Sequence, residues 1–236
     1  MIIFPAIDIR AGRCVRLLQG DYGLESVYGN PVHMAEKWAA AGAEYLHIVD
    51  LDGARVGGSQ NLSVVQEILA RVEIPVQMGG GIRSLPTLET VLETGVSRAI
   101  LGSAAFKDPR FLEEAVERYP DQIAVSVDSR RGWLATDGWT RTTFQDALEF
   151  VHELEDLGVR TIIYTDIARD GMLAGPNLED LQRINEAVEM NVIAAGGVSS
   201  IADLKALKDL GLYGAIIGKA LYTGDIQLET AIKEVE

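Results

Sequence analysis

The chain runs to 236 residues, with 21 basic against 35 acidic side chains, a net charge of −14 and a hydrophobic share of 47%. That balance excludes a nucleic-acid backbone or an anionic membrane surface as the main partner, since both need a basic face, and the apolar share excludes disorder. Small anions stay open, because backbone amides bind phosphate locally whatever the global charge.

Taken in chain order, short apolar runs fall at residues 2–7, 45–49, 74–78, 98–101, 123–127, 161–164, 191–195 and 215–217. They are rich in Val and Ile and apolar on both sides, as parallel strands buried on two faces require. Helical patterns lie between them at residues 32–41, 62–72, 85–94, 109–118, 143–157, 178–189 and 201–210. Pro109 behind Asp108 and Pro86 behind Ser84 mark helix starts; Gly42, Gly95, Gly158 and Gly211 mark stops. Eight β-α units predict an α/β fold, a (β/α)8 TIM barrel, at a length slightly below the roughly 250 residues typical of it. An open Rossmann sheet would carry Gly-x-Gly-x-x-Gly after its first strand, where this chain has Asp8-Ile9-Arg10-Ala11-Gly12. With no linker-like tract, residues 1–236 are expected to form one domain. No apolar run approaches the 18 or so residues of a membrane span, and the first is too short for a signal peptide. Cys14 is the single cysteine, which rules out an internal disulfide framework and fits a reducing, cytoplasmic compartment.

The two halves echo each other. Asp8 and Asp128 close strands one and five, 120 residues apart; Gly80 and Gly197 lie in Gly-rich turns 117 apart; Gly102-Ser103 and Gly218-Lys219 stand 116 apart, as do Asn61 and Asn177. Coincident echoes near one period predict a barrel made by duplicating a half-barrel.

In such a barrel the site lies where strands end and β-α loops begin. Gly196-Gly197 and Gly218-Lys219 follow strands seven and eight, where these barrels frequently hold a phosphate on backbone N–H groups. The first-half copies, Gly80-Gly81 and Gly102-Ser103, predict a second phosphate site across the mouth, to which Arg83 adds a charge. The ligand is then elongated, with a phosphate at each end. Asp8 and Asp128, on opposite walls, suit general acid–base work on the sugar between them. Thr165 and Asp170, after strand six, are candidates to orient the reacting groups, with Thr165 aligned to Asp50; Asp166 and Arg169 are expected to pair with each other. His47 is expected to be a hydrogen-bonded core residue. His33 and His152 lack ligand spacing, so no metal site is expected. Either Trp133 or Trp139 is a candidate to stack on a planar ring.

These residues, with the segments at 5–10, 15–22 and 47–54 and the two Gly-rich turns, resemble the phosphoribosylformimino-5-aminoimidazole carboxamide ribotide isomerases of histidine biosynthesis over essentially the whole chain. The resemblance implies an Amadori rearrangement of an aminoaldose to an aminoketose, with no cofactor or metal. It implies Asp8 as proton acceptor, Asp128 as proton donor, Thr165 and Asp170 as assistants, Trp139 stacked on the imidazole carboxamide, and Arg16 and Arg83 in contact with substrate. Gly20 and Gly175 complete the binding set. The partner expected is a small bis-phosphorylated molecule, with no nucleic acid or membrane, and the chain is expected to be a monomer. Three alternatives stay open: a broader isomerase that also takes phosphoribosylanthranilate, with Arg141 past Trp139 serving its carboxylate; the related cyclase subunit, whose cysteine near the first Asp is absent here; and a non-catalytic phosphosugar sensor.

Overall fold

Eight of the apolar runs become strands that pair side by side, all parallel, until the last returns to the first. The computed structural model describes residues 1–236. In chain order its elements are β1 (Ile2–Arg10), β2 (Arg13–Leu18), β3 (Asp21–Gly29), α1 (Pro31–Ala40), β4 (Leu46–Asp50), α2 (Leu51–Val56), α3 (Leu62–Leu69), β5 (Val76–Gly79), α4 (Leu85–Glu93), β6 (Arg98–Leu101), α5 (Ser103–Lys107) and α6 (Pro109–Arg118). The second half follows with β7 (Ile123–Arg130), β8 (Trp133–Thr136), β9 (Arg141–Asp146), α7 (Ala147–Asp156), β10 (Thr161–Asp166), α8 (Leu178–Ala187), β11 (Asn191–Ala195), α9 (Ile201–Asp209), β12 (Gly214–Ile217), α10 (Lys219–Thr223) and α11 (Leu228–Val235). Strands β1, β4, β5, β6, β7, β10, β11 and β12 pair in that order, and β12 closes on β1. This is the (β/α)8 barrel expected. No helix is long and apolar enough to cross a membrane.

Strand alternation sorts the core into two layers. Ile3, Ile7 and Ile9 of β1 point outward and join the larger core between sheet and helices. Phe4 and Ala6 point inward, where they meet Ile100, Ala124, Ile163, Ile193 and Ile216 in the barrel's interior. Asp8 and Asp128 fall on this inward parity, two residues beyond Ala6 and four beyond Ala124. Helix boundaries follow their caps: the Ser84 hydroxyl accepts from the Thr87 N–H, the Asp108 carboxylate from Phe111, and Ser200 with Asp203 forms a capping box. Gly42, Gly95, Gly158 and Gly211 all have positive φ, as the stop signals required.

The helix expected over 143–157 starts later, at Ala147, where Asp146 accepts from the N–H groups of Leu148 and Glu149. Residues 141–146 instead form β9, whose Thr142 and Thr143 favour a pleated, half-exposed surface. Neither hairpin, β1–β2–β3 or β7–β8–β9, was expected. Each begins with a two-residue turn, at Ala11-Gly12 (φ 48° and 71°) and Arg131-Gly132 (φ 55° and 82°), 120 residues apart. These are the tight turns that suit antiparallel strand twist, but Ala-Gly and Arg-Gly lack the Asn or Asp that announces them.

Register also corrects two of the internal alignments. Asp8 pairs with Val49 and Asp128 with Thr165, so Thr165 matches Val49, and Asp166 matches Asp50. Val49 pairs with Gly79 and Thr165 with Ala195, so Gly80 matches Gly196, and Gly81 matches Gly197. From the second unit onward the period is thus a steady 116. The 120 at the aspartates arises because the first hairpin and its helix take four more residues than the second.

Candidate active site

The small inward residues Ala6, Gly79, Ala195 and Gly218 leave the upper barrel unfilled, and a cavity of about 310 Å³ opens there at the C-terminal ends of the strands. Asp8 and Asp128 line it from opposite sides, with Thr165, Asp170, Arg16 and Trp139 between them. Gly20, Gly80, Gly81, Arg83, Gly102, Ser103, Gly196, Gly197, Gly218 and Lys219 also line it. Gly175 does not, which corrects the expectation: its N–H donates to the Gly197 carbonyl at 3.0 Å, and a Cβ on Gly197 would stand 2.4 Å from the Gly175 oxygen. Gly175 supports the turn from beneath. The equivalent turn is equally tight, since a Cβ on Gly81 would stand 2.4 Å from the Gly53 oxygen. Both positions require glycine, and both turns leave backbone facing the cavity.

The two aspartates have unlike surroundings. Asp8 Oδ2 accepts from Arg16 Nη1 at 2.8 Å, with the side chains 15% and 12% exposed. Arg16 also donates to the Ala6 carbonyl, lies 5.0 Å from the Tyr222 ring centre and presses against Gly218. Burial pushes the Asp8 carboxyl up while the guanidinium pulls it down. Asp128 has no cation in contact. It accepts from Ser126 Oγ at 2.9 Å, and burial raises its carboxyl against the weaker pull of Trp139, Ser126 and Thr165. Asp170, on the turn after β10, is pushed up to about 6, first by burial and then by the charge of Asp8.

Of the two candidate tryptophans, Trp139 is the one at the cavity. Its φ is 70° and its ring covers Gly20, where a Cβ would stand 2.7 Å from Cε3. Trp133 lies on β8, 46% exposed and outside the cavity. The loop bearing Trp139 is tied to α5, because the Asp137 N–H donates to Ser103 Oγ at 2.8 Å and the Asp137 carboxylate pairs with Lys107. Lys219 Nζ donates to the Gly171 carbonyl at 2.9 Å, and Arg83 Nη2 to the Ala54 carbonyl at 2.7 Å. Both cations line the cavity, Arg83 two residues past Gly81 and Lys219 next to Gly218 in the chain.

Asp50 and Asp166 shape loops. Asp50 accepts from the N–H groups of Gly53, Gln60 and Asn61 and from Asn61 Nδ2. Asp166 accepts from Ala168 N–H and Asn177 Nδ2, and Arg169 lies 3.7 Å from it as expected. His47 is hydrogen-bonded through Gln77 at 3.1 Å and buried, as expected, yet it also lines the cavity floor. Ser126 was missed. Its signal was the strand period, which puts it two residues before Asp128 on the same face.

The site is thus that of a doubled (β/α)8 barrel with two unlike carboxylates between two glycine-rich turns at the C-terminal ends of its strands, where barrels of this class carry their active sites. Residues 2–227 match the family described as "Histidine biosynthesis protein". The chain is 55% identical over 234 residues to the 1-(5-phosphoribosyl)-5-((5-phosphoribosylamino)methylideneamino)imidazole-4-carboxamide isomerase of Oceanobacillus iheyensis, covering 99% of this chain and 98% of the relative. Isomerases of the same name from Thermoanaerobacter pseudethanolicus (50% identity, 99% of both chains) and Dehalococcoides mccartyi (51%, the whole of both) are similarly close. The chain belongs to the histidine biosynthesis protein family. It is an enzyme of the isomerase class.

Proposed function

We propose that the protein catalyses the Amadori rearrangement of the bis-phosphorylated aminoaldose named in its relatives to the corresponding aminoketose, with Asp128 as general acid and Asp8 as general base. The observation that carries this reading is the pair of inward carboxylates on β1 and β7, facing one cavity between two equivalent glycine-rich turns. Their environments divide the labour. Burial raises both carboxyls, but only Asp8 has a guanidinium in contact to favour its ionised, proton-accepting form, whereas Asp128 has a serine hydroxyl and no cation to oppose its protonated form.

In sequence, Asp128 gives its proton to the ribose ring oxygen as the C1′–O bond breaks, and the nitrogen lone pair forms a C1′ iminium. Asp8 takes the C2′ proton, whose bonding electrons form the C1′–C2′ double bond and neutralise the nitrogen. The C2′ hydroxyl then returns a proton to Asp128 while C1′ takes the one held by Asp8, leaving the ketone with both carboxyls restored. Thr165, paired in register with Asp128, and Asp170 orient these groups; Trp139 stacks on the imidazole carboxamide. The phosphates sit on the turns at Gly80-Gly81 with Gly102-Ser103 and Arg83, and at Gly196-Gly197 with Gly218-Lys219. We read residues 1–236 as one domain and the protein as a cytoplasmic monomer, which its single cysteine and acidic charge support.

Incubating the purified protein with the aminoaldose and, separately, with phosphoribosylanthranilate tests the reading. Conversion of the first alone supports the narrow isomerase; conversion of both extends it; conversion of neither overturns it.

A further inference from the structure

Beneath the reacting level, the barrel interior holds an arginine with no carboxylate partner. Arg98, at the start of β6, is 8% exposed and makes no ion pair; its guanidinium lies 5.4 Å from the Tyr45 ring centre. Its Nη1 donates to Gln77 Oε1 at 3.0 Å, and Gln77 Nε2 lies 3.1 Å from His47 Nδ1. Register pairs His47 with Gln77 and Gln77 with Arg98, so the three form one row across β4, β5 and β6.

The proton positions in this row follow from Arg98. A guanidinium only donates, so Gln77 turns its oxygen to Arg98 and its amide N–H to His47. His47 Nδ1 must then accept, which leaves the single imidazole proton on Nε2. A second proton on Nδ1 would point at an N–H group. Burial and the Arg16 cation act in the same sense and push the imidazole down to about 3. The charged groups facing His47 are Arg16 from β2, Asp8 from β1 by way of Arg16, and Arg98 from β6 by way of Gln77. Nε2 makes no hydrogen bond within the protein, and His47 forms part of the cavity floor beside Ala6, directly below the level of Asp8.

We propose that Arg98 and Gln77 are positioning residues that lock His47 as a neutral donor, its Nε2–H offered from the cavity floor to an oxygen of the substrate's sugar. This rests on the sugar rearrangement proposed above. A buried, unpaired arginine is a costly way to fill a barrel, and the polarity it imposes on the row accounts for its presence. No proton leaves His47 in the reaction; it contributes a hydrogen bond to the oxygen on which negative charge develops.

Ring-nitrogen NMR on the full-length protein reads the tautomer, with the His47→Gln variant identifying which of the three histidines gives the signal. Wild-type His47 is expected to carry its proton on Nε2 without titrating from about pH 5 to 8. Gln77→Glu keeps shape and the bond to Arg98 but faces Nδ1 with a carboxylate, so the proton should move there. Turnover of the aminoaldose should then fall at least about tenfold with KM little changed. His47→Gln, which keeps an N–H near the Nε2 position, should retain more turnover than His47→Leu. A wild-type proton on Nδ1, titration inside that pH range, or full turnover after the tautomer has moved overturns the proposal. Equal turnover in the Gln and Leu variants also overturns it, and this pair decides the matter if Gln77→Glu does not fold. If wild-type protein fails to convert the aminoaldose, the functional reading falls, and the ring-nitrogen signal still decides whether the row sets the tautomer.

Discussion

At the end of β1 a carboxylate lies against a guanidinium; at the end of β7 its counterpart lies against a serine hydroxyl with no cation in contact. The two half-barrels share strand order, hairpin turns and glycine turns, so the backbone places both aspartates alike. What separates them is Ser126 on β7, where β1 has Ala6, and the hairpin that follows each strand. The first, on β2, supplies Arg16; the second, past β8, supplies Trp139. A duplicated scaffold thus gives its two carboxylates unlike surroundings through its side branches and one strand position, which is how the proposed base and acid would come to differ. The loop after β10 adds a further asymmetry in Asp170, where the first half has the short helix α2.

The strongest way to break this comparison is to neutralise each wall in turn. Asp8→Asn and Asp128→Asn should each lower kcat by about 10²–10⁴-fold while substrate binding, measured by calorimetry, changes less than about tenfold. Their stabilities should differ. Asp8→Asn strands the Arg16 cation and should cost about 1–3 kcal/mol in denaturant titrations, whereas Asp128→Asn strands none and should be neutral or stabilising. Equal stabilities would mean that the walls are not as unlike as their contacts indicate.

A gentler intervention acts on one wall alone. A Cβ on Gly218 would stand 2.9 Å from Arg16 Cζ, so Gly218→Ala should push the guanidinium off Asp8 and lower kcat/KM by about 10–10²-fold. The matching change in the other half, Gly102→Ala, meets nothing within 4 Å and should have a much smaller effect.

Asp170 sharpens the contrast through pH. Its carboxyl rises from 3.8 to about 6 in the folded protein, so folding favours the protonated form. Its contribution to stability is therefore greatest below about pH 4 and declines as pH rises through about 6. Asp170→Asn, uncharged throughout, should gain about 1–3 kcal/mol relative to wild type at pH 8 and almost nothing at pH 3. Urea titrations at the two pH values check this. The smallest effect is expected at Trp139: Trp139→Ala should raise KM by a factor worth about 0.5–1.5 kcal/mol, with kcat less affected.

Much of this site could be read from residue order. Period and β-branching locate the eight barrel strands, and the echo between halves points to Asp8 and Asp128. Inward parity along a strand is a local rule, so Ser126 was within reach as well. Other features were out of reach for stated reasons. The hairpins were hidden because Ala11 and Arg131 adopt left-handed backbone without the usual turn residues. Gly175 reads as part of the binding set from sequence because nothing local distinguishes a glycine that lines a turn from one that props it up. The alignment of Thr165 with Asp50 slipped by one because offsets counted along the chain ignore pairing between strands, and pairing assigns Thr165 to Val49.

Sequence order alone thus settles the barrel, its doubling and the chemical types at the strand ends, because strand and helix periods and repeated turns are local properties. Which aspartate meets a cation, which tryptophan covers the mouth and which way the protons run from Arg98 to His47 depend on residues far apart in the chain. Those matters are settled by closure of the sheet, which brings β2 against β1, the loop past β8 against Gly20, and β6 beside β5 and β4, and so gives each polar group its particular partner.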